Sequence, residues 1–170
     1  VLADWKLLPT NPDWSGGIAE SWCPGENSAQ TRLADFVESS LDNYIDGRDR
    51  PDLTDTSKIS PHLAFGEISP AQVFYTLNEA KAQTDGTSID AIRRQVGWRE
   101  FAWHLLVNQP SLSDSNHKTQ FDDFPWSNNR EDLRAWQQGI TGYPIVDAGM
   151  RQLRQTGWMH NRVRMITASF

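Results

Sequence analysis

Three short stretches of this 170-residue chain concentrate side chains able to hold or transform a ligand. Thr56-Ser57-Lys58-Ile59-Ser60 sets hydroxyls and a lysine side by side. At a loop-to-helix junction, hydroxyls and backbone N–H groups make a cradle for phosphate. No glycine-rich stretch precedes the lysine, so this is not a P-loop. A helix N-cap with spare hydroxyls is the structural alternative. In the second stretch, helical spacing puts Gln95, Trp98, Arg99 and Ala102 on adjoining faces. An amide, an aromatic plate and a guanidinium together suit a stacked nucleobase whose edge needs a hydrogen-bond partner. The alternative is a core Trp98 with Arg99 paired to a nearby acid. The third stretch, Gly157 to Arg164, reads Gly-Trp-Met-His-Asn-Arg-Val-Arg. Trp158, Asn161 and Arg162 share one helical face and Arg164 points elsewhere, so the two arginines could serve two partners. His160 reads as structural. No cysteine or histidine cluster lies near it, so no metal site is expected.

The chemistry left out is as informative. There is no nucleophile elbow, no zinc spacing and no paired-carboxylate arrangement. Stacking and phosphate-friendly residues fit a bound nucleotide cofactor better than hydrolysis by side chains. The net charge of -6 and pI near 5.1 exclude a generic basic nucleic-acid coat protein. Yet Arg151, Arg154, Arg162 and Arg164 face only Asp147 in the last thirty residues, a local basic stretch. Mean hydropathy is -0.61, and no apolar run suggests a membrane span. No basic-then-apolar leader opens the chain, and Cys23 is its only cysteine, so a reducing cytoplasm is expected.

The elements that must position these residues read as helices. Residues 1–27, punctuated by proline and glycine, read as an irregular lead-in that Trp5, Trp14 and Trp22 could pin to a body. Asn27 or Ser28 then caps a helix with Leu33, Phe36, Val37, Leu41 and Ile45 inside, ended by Gly47. Residues 46–58 form a surface loop. Ser69-Pro70 starts a helix that buries Val73, Phe74 and Leu77. After a polar loop at 82–88, Ser88 caps a helix to about Val107, with Ile89, Ile92, Val96, Phe101, Leu105 and Leu106 inside. Pro110 stops it. Residues 108–129 form a long loop anchored by Phe121, Phe124, Pro125 and Trp126. A short helix near 130–138 closes at Gly139. Pro144 opens another with Ile145, Val146, Met150 and Leu153 inside, ending near Gly157. A last helix starts around His160 with Met165, Ile166 and Phe170 apolar. No strand alternation or internal repeat shows. The chain reads as all-α and as an excerpt of a longer protein.

In this order and spacing the motifs resemble the DNA photolyase/cryptochrome family. Thr141-Gly-Tyr-Pro-Ile-Val-Asp-Ala-Gly-Met-Arg-Gln-Leu153 and Gly157-Trp-Met-His-Asn-Arg-Val-Arg-Met165 carry most of the likeness. Trp22-Cys-Pro-Gly-Glu26, Thr56 to Ser60, Phe65-Gly-Glu-Ile-Ser-Pro70 and Trp98-Arg-Glu-Phe101 add to it. The resemblance covers essentially the whole chain and is nearest to class I cyclobutane pyrimidine dimer photolyases. It implies a multi-helical FAD-binding domain, truncated on its C-terminal side and lacking the family's N-terminal α/β antenna domain. Residues 1–27 would be the linker and 28–170 the first part of the helical domain.

The same resemblance implies roles. Tyr44, Thr56, Ser57, Lys58, Ile59 and Ser60 would hold the FAD phosphates and ribityl chain. Trp158, Asn161 and Arg164 would line the flavin cavity, with Arg99 close by. Trp98 would stack on a flipped pyrimidine dimer, with Gln95 at its edge. Arg48, Gln95, Trp98, Asn161 and Arg162 would meet DNA. Trp126 matches the outermost member of an electron-transferring tryptophan chain. The implied activity is that of a deoxyribodipyrimidine photo-lyase, blue-light repair of cyclobutane dimers in damaged DNA by a monomeric full-length protein. An antenna chromophore, folate or deazaflavin, would belong to the absent domain, and the excerpt alone would be inactive. One departure stands out: family members that repair cyclobutane dimers usually carry glutamate where this chain has Gln95. Glutamine there is seen in relatives that repair (6-4) photoproducts, whereas Asn161-Arg162 favours dimer repair. A cryptochrome-type photoreceptor and (6-4) repair stand as alternatives.

Overall fold

The computed structural model describes residues 2–81 and 86–170, and every regular element among them is helical, as expected. In chain order they are α1 (Gly16–Ser21), α2 (Glu26–Ser39), α3 (Tyr44–Gly47), α4 (Ser60–Ala64), α5 (Pro70–Ala80), α6 (Gly86–Asn108), α7 (Arg130–Gln138), α8 (Pro144–Thr156) and α9 (Asn161–Ser169). Short 3-10 turns lie at Leu2–Trp5, Pro110–Ser113 and Thr119–Phe121.

One core gathers α2 to α6. Leu33 and Phe36 from α2, Leu41, Tyr44, Ile59, Leu63, Val73, Leu77, Ile89, Ile92 and Val96 pack into one buried cluster. Each such aliphatic side chain contributes about 1.5–3 kcal/mol by leaving water. The start of α5 is fixed by a capping box. Ser69 Oγ accepts from Gln72 N at 3.2 Å, and Gln72 Oε1 accepts from Ser69 N at 2.8 Å. A second packing centre joins α7, α8 and α9 around Val146, Met159 and Val163. Here α8 and α9 approach so closely that a Cβ at Gly149 would meet Val163 Cγ1 at 2.5 Å. Asp147 ties down the turn before α8, accepting from Thr141 N and Oγ1, each at 2.7 Å, and from Gly142 N at 3.0 Å.

The two centres meet at Trp22. Its indole N–H donates to Thr156 O at 2.6 Å, and the Arg32 guanidinium lies 4.8 Å over its ring. The Glu67 carboxylate then bonds both His62 Nδ1 and Gly25 N, locking the start of α2 onto α4.

Several sequence expectations are corrected. The lead-in is not wholly irregular, because α1 packs on α8; Gly17 sits against the Gln155 carbonyl where a Cβ would not fit. Of its tryptophans only Trp22 is a pin; Trp5 and Trp14 stay exposed. The cap of α2 is Gly25, at φ 113°, rather than Asn27 or Ser28, because Glu67 takes up the glycine N–H. That helix ends at Ser39, and a separate turn, α3, carries Tyr44 inward and leaves Ile45 exposed. Ser88 is not a cap: α6 already runs from Gly86, and Ser88 is 1% exposed, donating to Asp42 O at 3.5 Å. Part of the 82–88 loop, residues 82–85, lies outside the described residues. Phe101 and Leu106 of α6 face outward, as do Ile145 and Leu153 of α8. In α9 the inward residues are Val163 and Thr167, while Met165, Ile166 and Phe170 are exposed. Phe121, Phe124 and Trp126 of the long loop are exposed rather than anchored.

Candidate functional site

Three segments converge on one surface. The loop after α3 brings Arg48 and Asp49, the middle of α6 brings Gln95, Trp98 and Arg99, and the start of α9 brings Asn161 and Arg162. Their meeting is enforced by charge. The Asp49 carboxylate accepts from Arg162 Nε at 2.8 Å and pairs with Arg48 Nε at 3.4 Å. The Arg162 hydrogen bond holds the Asp49 carboxyl below its ordinary value against the cost of desolvation, with both guanidinium charges adding to it. Asp49 thus lets two arginines sit together where they would otherwise repel. Arg48 in turn reaches α6. With its amide turned so that the oxygen faces Arg48, Gln95 can accept from Nη1 and Nη2, each at 3.2 Å. Arg48 also lies 5.5 Å over the buried Tyr44 ring, whose phenol burial pushes up from its ordinary value.

The start of α9 is fixed by His160. Its Nδ1 accepts from Arg162 N at 3.1 Å, so the imidazole acts as an N-cap. His160 is 2% exposed, and desolvation holds its pKa below the ordinary 6.5. Met165 sulfur lies 3.5 Å from Arg162 Nη1 and 3.9 Å from Asn161 Nδ2. Trp98 is 63% exposed and meets Phe101 edge to face, so the alternative that it is a core residue fails. Arg99 does take an acid, its neighbour Glu100, and also donates to Leu63 O at 3.3 Å, tying α6 to α4.

The hydroxyl-rich stretch sits where α4 begins. Lys58 adopts a left-handed φ of 50°, and its ammonium lies 4.9 Å over the Trp158 ring. The Thr56 Oγ1 is buried with no partner among the described residues. An orphaned hydroxyl beside Ser57 and Lys58 fits the oxygens of a phosphate or sugar alcohol. Ile59 is buried in the core, so only its backbone remains for a ligand. Arg164 Nη2 donates to Met159 O at 3.1 Å, across the turn that carries Trp158. Trp158 precedes α9 rather than lying on it, so it shares no helical face with Asn161 and Arg162. Trp126 is 71% exposed, and its ring partner is Phe124.

Sequence reasoning missed one wall. A cleft of about 480 Å³ opens between α2 and residues 54–58, lined by Thr31, Arg32 and Asp35 opposite Thr56, Ser57 and Lys58. The signal was available: Ser28, Thr31, Arg32, Asp35 and Ser39 recur at helical spacing on the face of α2 away from Leu33, with Phe36 at its edge. Asp49 was also missed, since an acid beside arginine reads as ordinary surface charge. Among the described residues no cluster of histidine, cysteine and carboxylates could hold a metal. No helix among them is long and apolar enough to cross a membrane.

One helical scaffold thus carries a hydroxyl-lined cleft beside α2 and an aromatic and arginine surface on α6 and α9, the arrangement of a helical cofactor-binding domain. Residues 92–170 match the family model described as the FAD binding domain of DNA photolyase. A deoxyribodipyrimidine photo-lyase of Agrobacterium fabrum is 49% identical over 99% of this chain and 35% of its own length. The crystal structure of a bacterial class III photolyase from Agrobacterium tumefaciens superposes with a TM-score of 0.95 at 49% identity, covering 100% of this chain and 35% of that one. Cryptochrome-2 of Arabidopsis thaliana is 37% identical over 90% of this chain and 26% of its own length. The chain belongs to the DNA photolyase/cryptochrome family. It spans about a third of the length of these relatives.

Proposed function

We propose that this chain is the lesion-facing part of an FAD-dependent enzyme that repairs cyclobutane pyrimidine dimers in DNA under blue light. The observation that carries this reading is the Arg48–Asp49–Arg162 chain beside Gln95 and the exposed Trp98. The arginines suit DNA phosphates, and an exposed indole with an amide next to it suits a base taken out of the stack. FAD, when bound and photoexcited in its reduced state, supplies the electron that splits the dimer. The chain's own residues do the rest. Thr56, Ser57, Lys58 and the Ile59 and Ser60 backbone hold the phosphates and ribityl chain. Tyr44 stiffens that wall from the core, and Arg99, Trp158, Asn161 and Arg164 border the flavin. Trp98 stacks on the flipped lesion and helps exclude water from it. Flipping is least costly at a damaged, poorly stacked site, which itself selects for lesions. Trp126, exposed beside Phe124, suits electron entry from solvent. An antenna pigment, folate or deazaflavin, would be held by another domain of a monomeric cytoplasmic protein.

The test uses the FAD-loaded full-length protein and two oligonucleotides, one carrying a cyclobutane thymine dimer and one a (6-4) photoproduct. Light-dependent loss of the cyclobutane dimer alone is expected. Repair of neither, with flavin retained, moves the protein to a photoreceptor role. The 37% identity to Cryptochrome-2 of Arabidopsis thaliana makes that role the second reading.

A further inference from the structure

We infer that the cleft between α2 and residues 54–58 is a second ligand site, beside the cofactor's, and that it takes a small phosphorylated sugar. Its volume of about 480 Å³ lies in the range of small-molecule sites. Of the residues proposed to hold the cofactor, only Thr56, Ser57 and Lys58 line it; Ser60, Arg99, Trp158, Asn161 and Arg164 do not. The segment 56–58 is thus a partition, with the cofactor on one side and α2 across the cleft on the other.

One end of the cleft is cationic. The Arg32 guanidinium lies 4.8 Å over the Trp22 ring, and the Lys58 ammonium 4.9 Å over the Trp158 ring. Both indoles are tied to Thr156: Trp22 Nε1 donates to its carbonyl at 2.6 Å, and Trp158 N donates to its hydroxyl at 3.2 Å. The two cations are therefore held from one point of the chain. Neither has a carboxylate partner among the described residues. An indole face positions a cation without neutralising it, so both charges stay available to an anion. In the same cleft Thr56 Oγ1 is buried with no partner, and Ser57 adds a second hydroxyl. Two cations with hydroxyl donors suit a phosphate group. The other end differs. Asp35 follows about one turn beyond Arg32 on α2, with Ser39, Ser40 and Thr54 also lining the cleft. A carboxylate repels phosphate but accepts from sugar hydroxyls. The polarity along the cleft matches a molecule with a phosphate at one end and hydroxyls at the other.

Calorimetric titration of the FAD-loaded full-length protein at fixed ionic strength tests this with ribose 5-phosphate, ribose, inorganic phosphate and AMP. The cofactor is already in place, so any binding reports another site. Ribose 5-phosphate is expected to bind at one equivalent, at least about tenfold more tightly than inorganic phosphate or ribose. Equal or weaker binding of AMP assigns the cleft to the free sugar phosphate, and tighter binding to a nucleotide that carries it; both support the inference. Arg32→Met keeps an apolar stem on Trp22 and removes the charge. It should weaken ribose 5-phosphate at least about tenfold at unchanged flavin content. Asp35→Asn should bring ribose 5-phosphate and inorganic phosphate to within about threefold of each other. No binding of ribose 5-phosphate, binding that Arg32→Met leaves untouched, or a preference that Asp35→Asn leaves unchanged overturns the inference. So does loss of flavin in Arg32→Met, which would give the cleft to the cofactor's own phosphates.

Discussion

At the scale of single residues, Asp49 and Trp98 make opposite kinds of contribution. Asp49 is an exposed carboxylate between two arginines, so as an ion pair it adds little to stability. Its value lies in where it puts them. Asp49→Asn removes a negative charge from the surface proposed to face DNA and loosens both guanidiniums. Binding to undamaged duplex should tighten a few-fold, as counterion release improves, while preference for damaged over undamaged DNA narrows. Fluorescence anisotropy with both duplexes reads this directly; an unchanged preference would remove Asp49 from the site. Trp98 has no such background role, because most of its indole is already in water. Trp98→Ala should leave flavin content and melting temperature near wild type. It should cost about 1–3 kcal/mol of lesion binding, the worth of one stacked base. A large fall in melting temperature instead would mean the ring packs against structure.

Individual elements show where sequence reading succeeds and where it stops. Local signals were legible: Ser69-Pro70 and Gln72 build the cap of α5, and Gly139 and Gly157 close α7 and α8 in left-handed conformations. Distance-dependent features were not. Nothing local says that Glu67 will claim the Gly25 N–H, or that Ser88 will be buried against Asp42. The buried stripe of α9 was not legible because Thr167 and Val163 both point to Gly149, a contact visible only once α8 lies alongside. That contact predicts that Gly149→Ala, by driving Val163 outward, destabilises the domain by about 1–3 kcal/mol, measurable by denaturant titration of the full-length protein. The His160 cap makes a pH prediction. Its folded pKa is depressed, so the unfolded chain binds the proton more readily. The cap's contribution is complete above the ordinary value of 6.5 and is lost as pH falls below it toward the folded pKa. His160→Asn keeps a capping oxygen without the titration, so its melting temperature should fall less than wild type's between neutrality and mild acid. Parallel curves would show that the acid sensitivity lies elsewhere, as in the carboxylates of Asp49, Glu67 and Asp147 at lower pH.

Across the whole molecule, burial is unevenly distributed, and this explains why the outward residues of α6 resisted derivation. The core of α2 to α6 is closed, and its residues follow the periodicity read from sequence. Beyond Val96 the pattern continues but the burial does not. Phe101, Trp103, Leu106 and Val107 of α6 are exposed, and so are Phe121, Phe124 and Trp126. Periodicity predicts that such residues need a partner surface, yet it cannot say whether that surface lies within the same stretch of chain. The match to about a third of the relatives' length supplies the scale of what else the fold can contain. Large contiguous apolar surface rimmed by charge favours association in water. The 170 residues expressed alone should therefore elute from gel filtration as heterogeneous oligomers and retain little FAD. Replacing Phe101, Leu106 and Val107 together with glutamine or serine should shift that profile toward monomer without raising flavin content, because it removes stickiness and adds no group that could hold the cofactor. A wild-type 170-residue monomer that kept stoichiometric flavin would show instead that α2 to α9 enclose the cofactor by themselves.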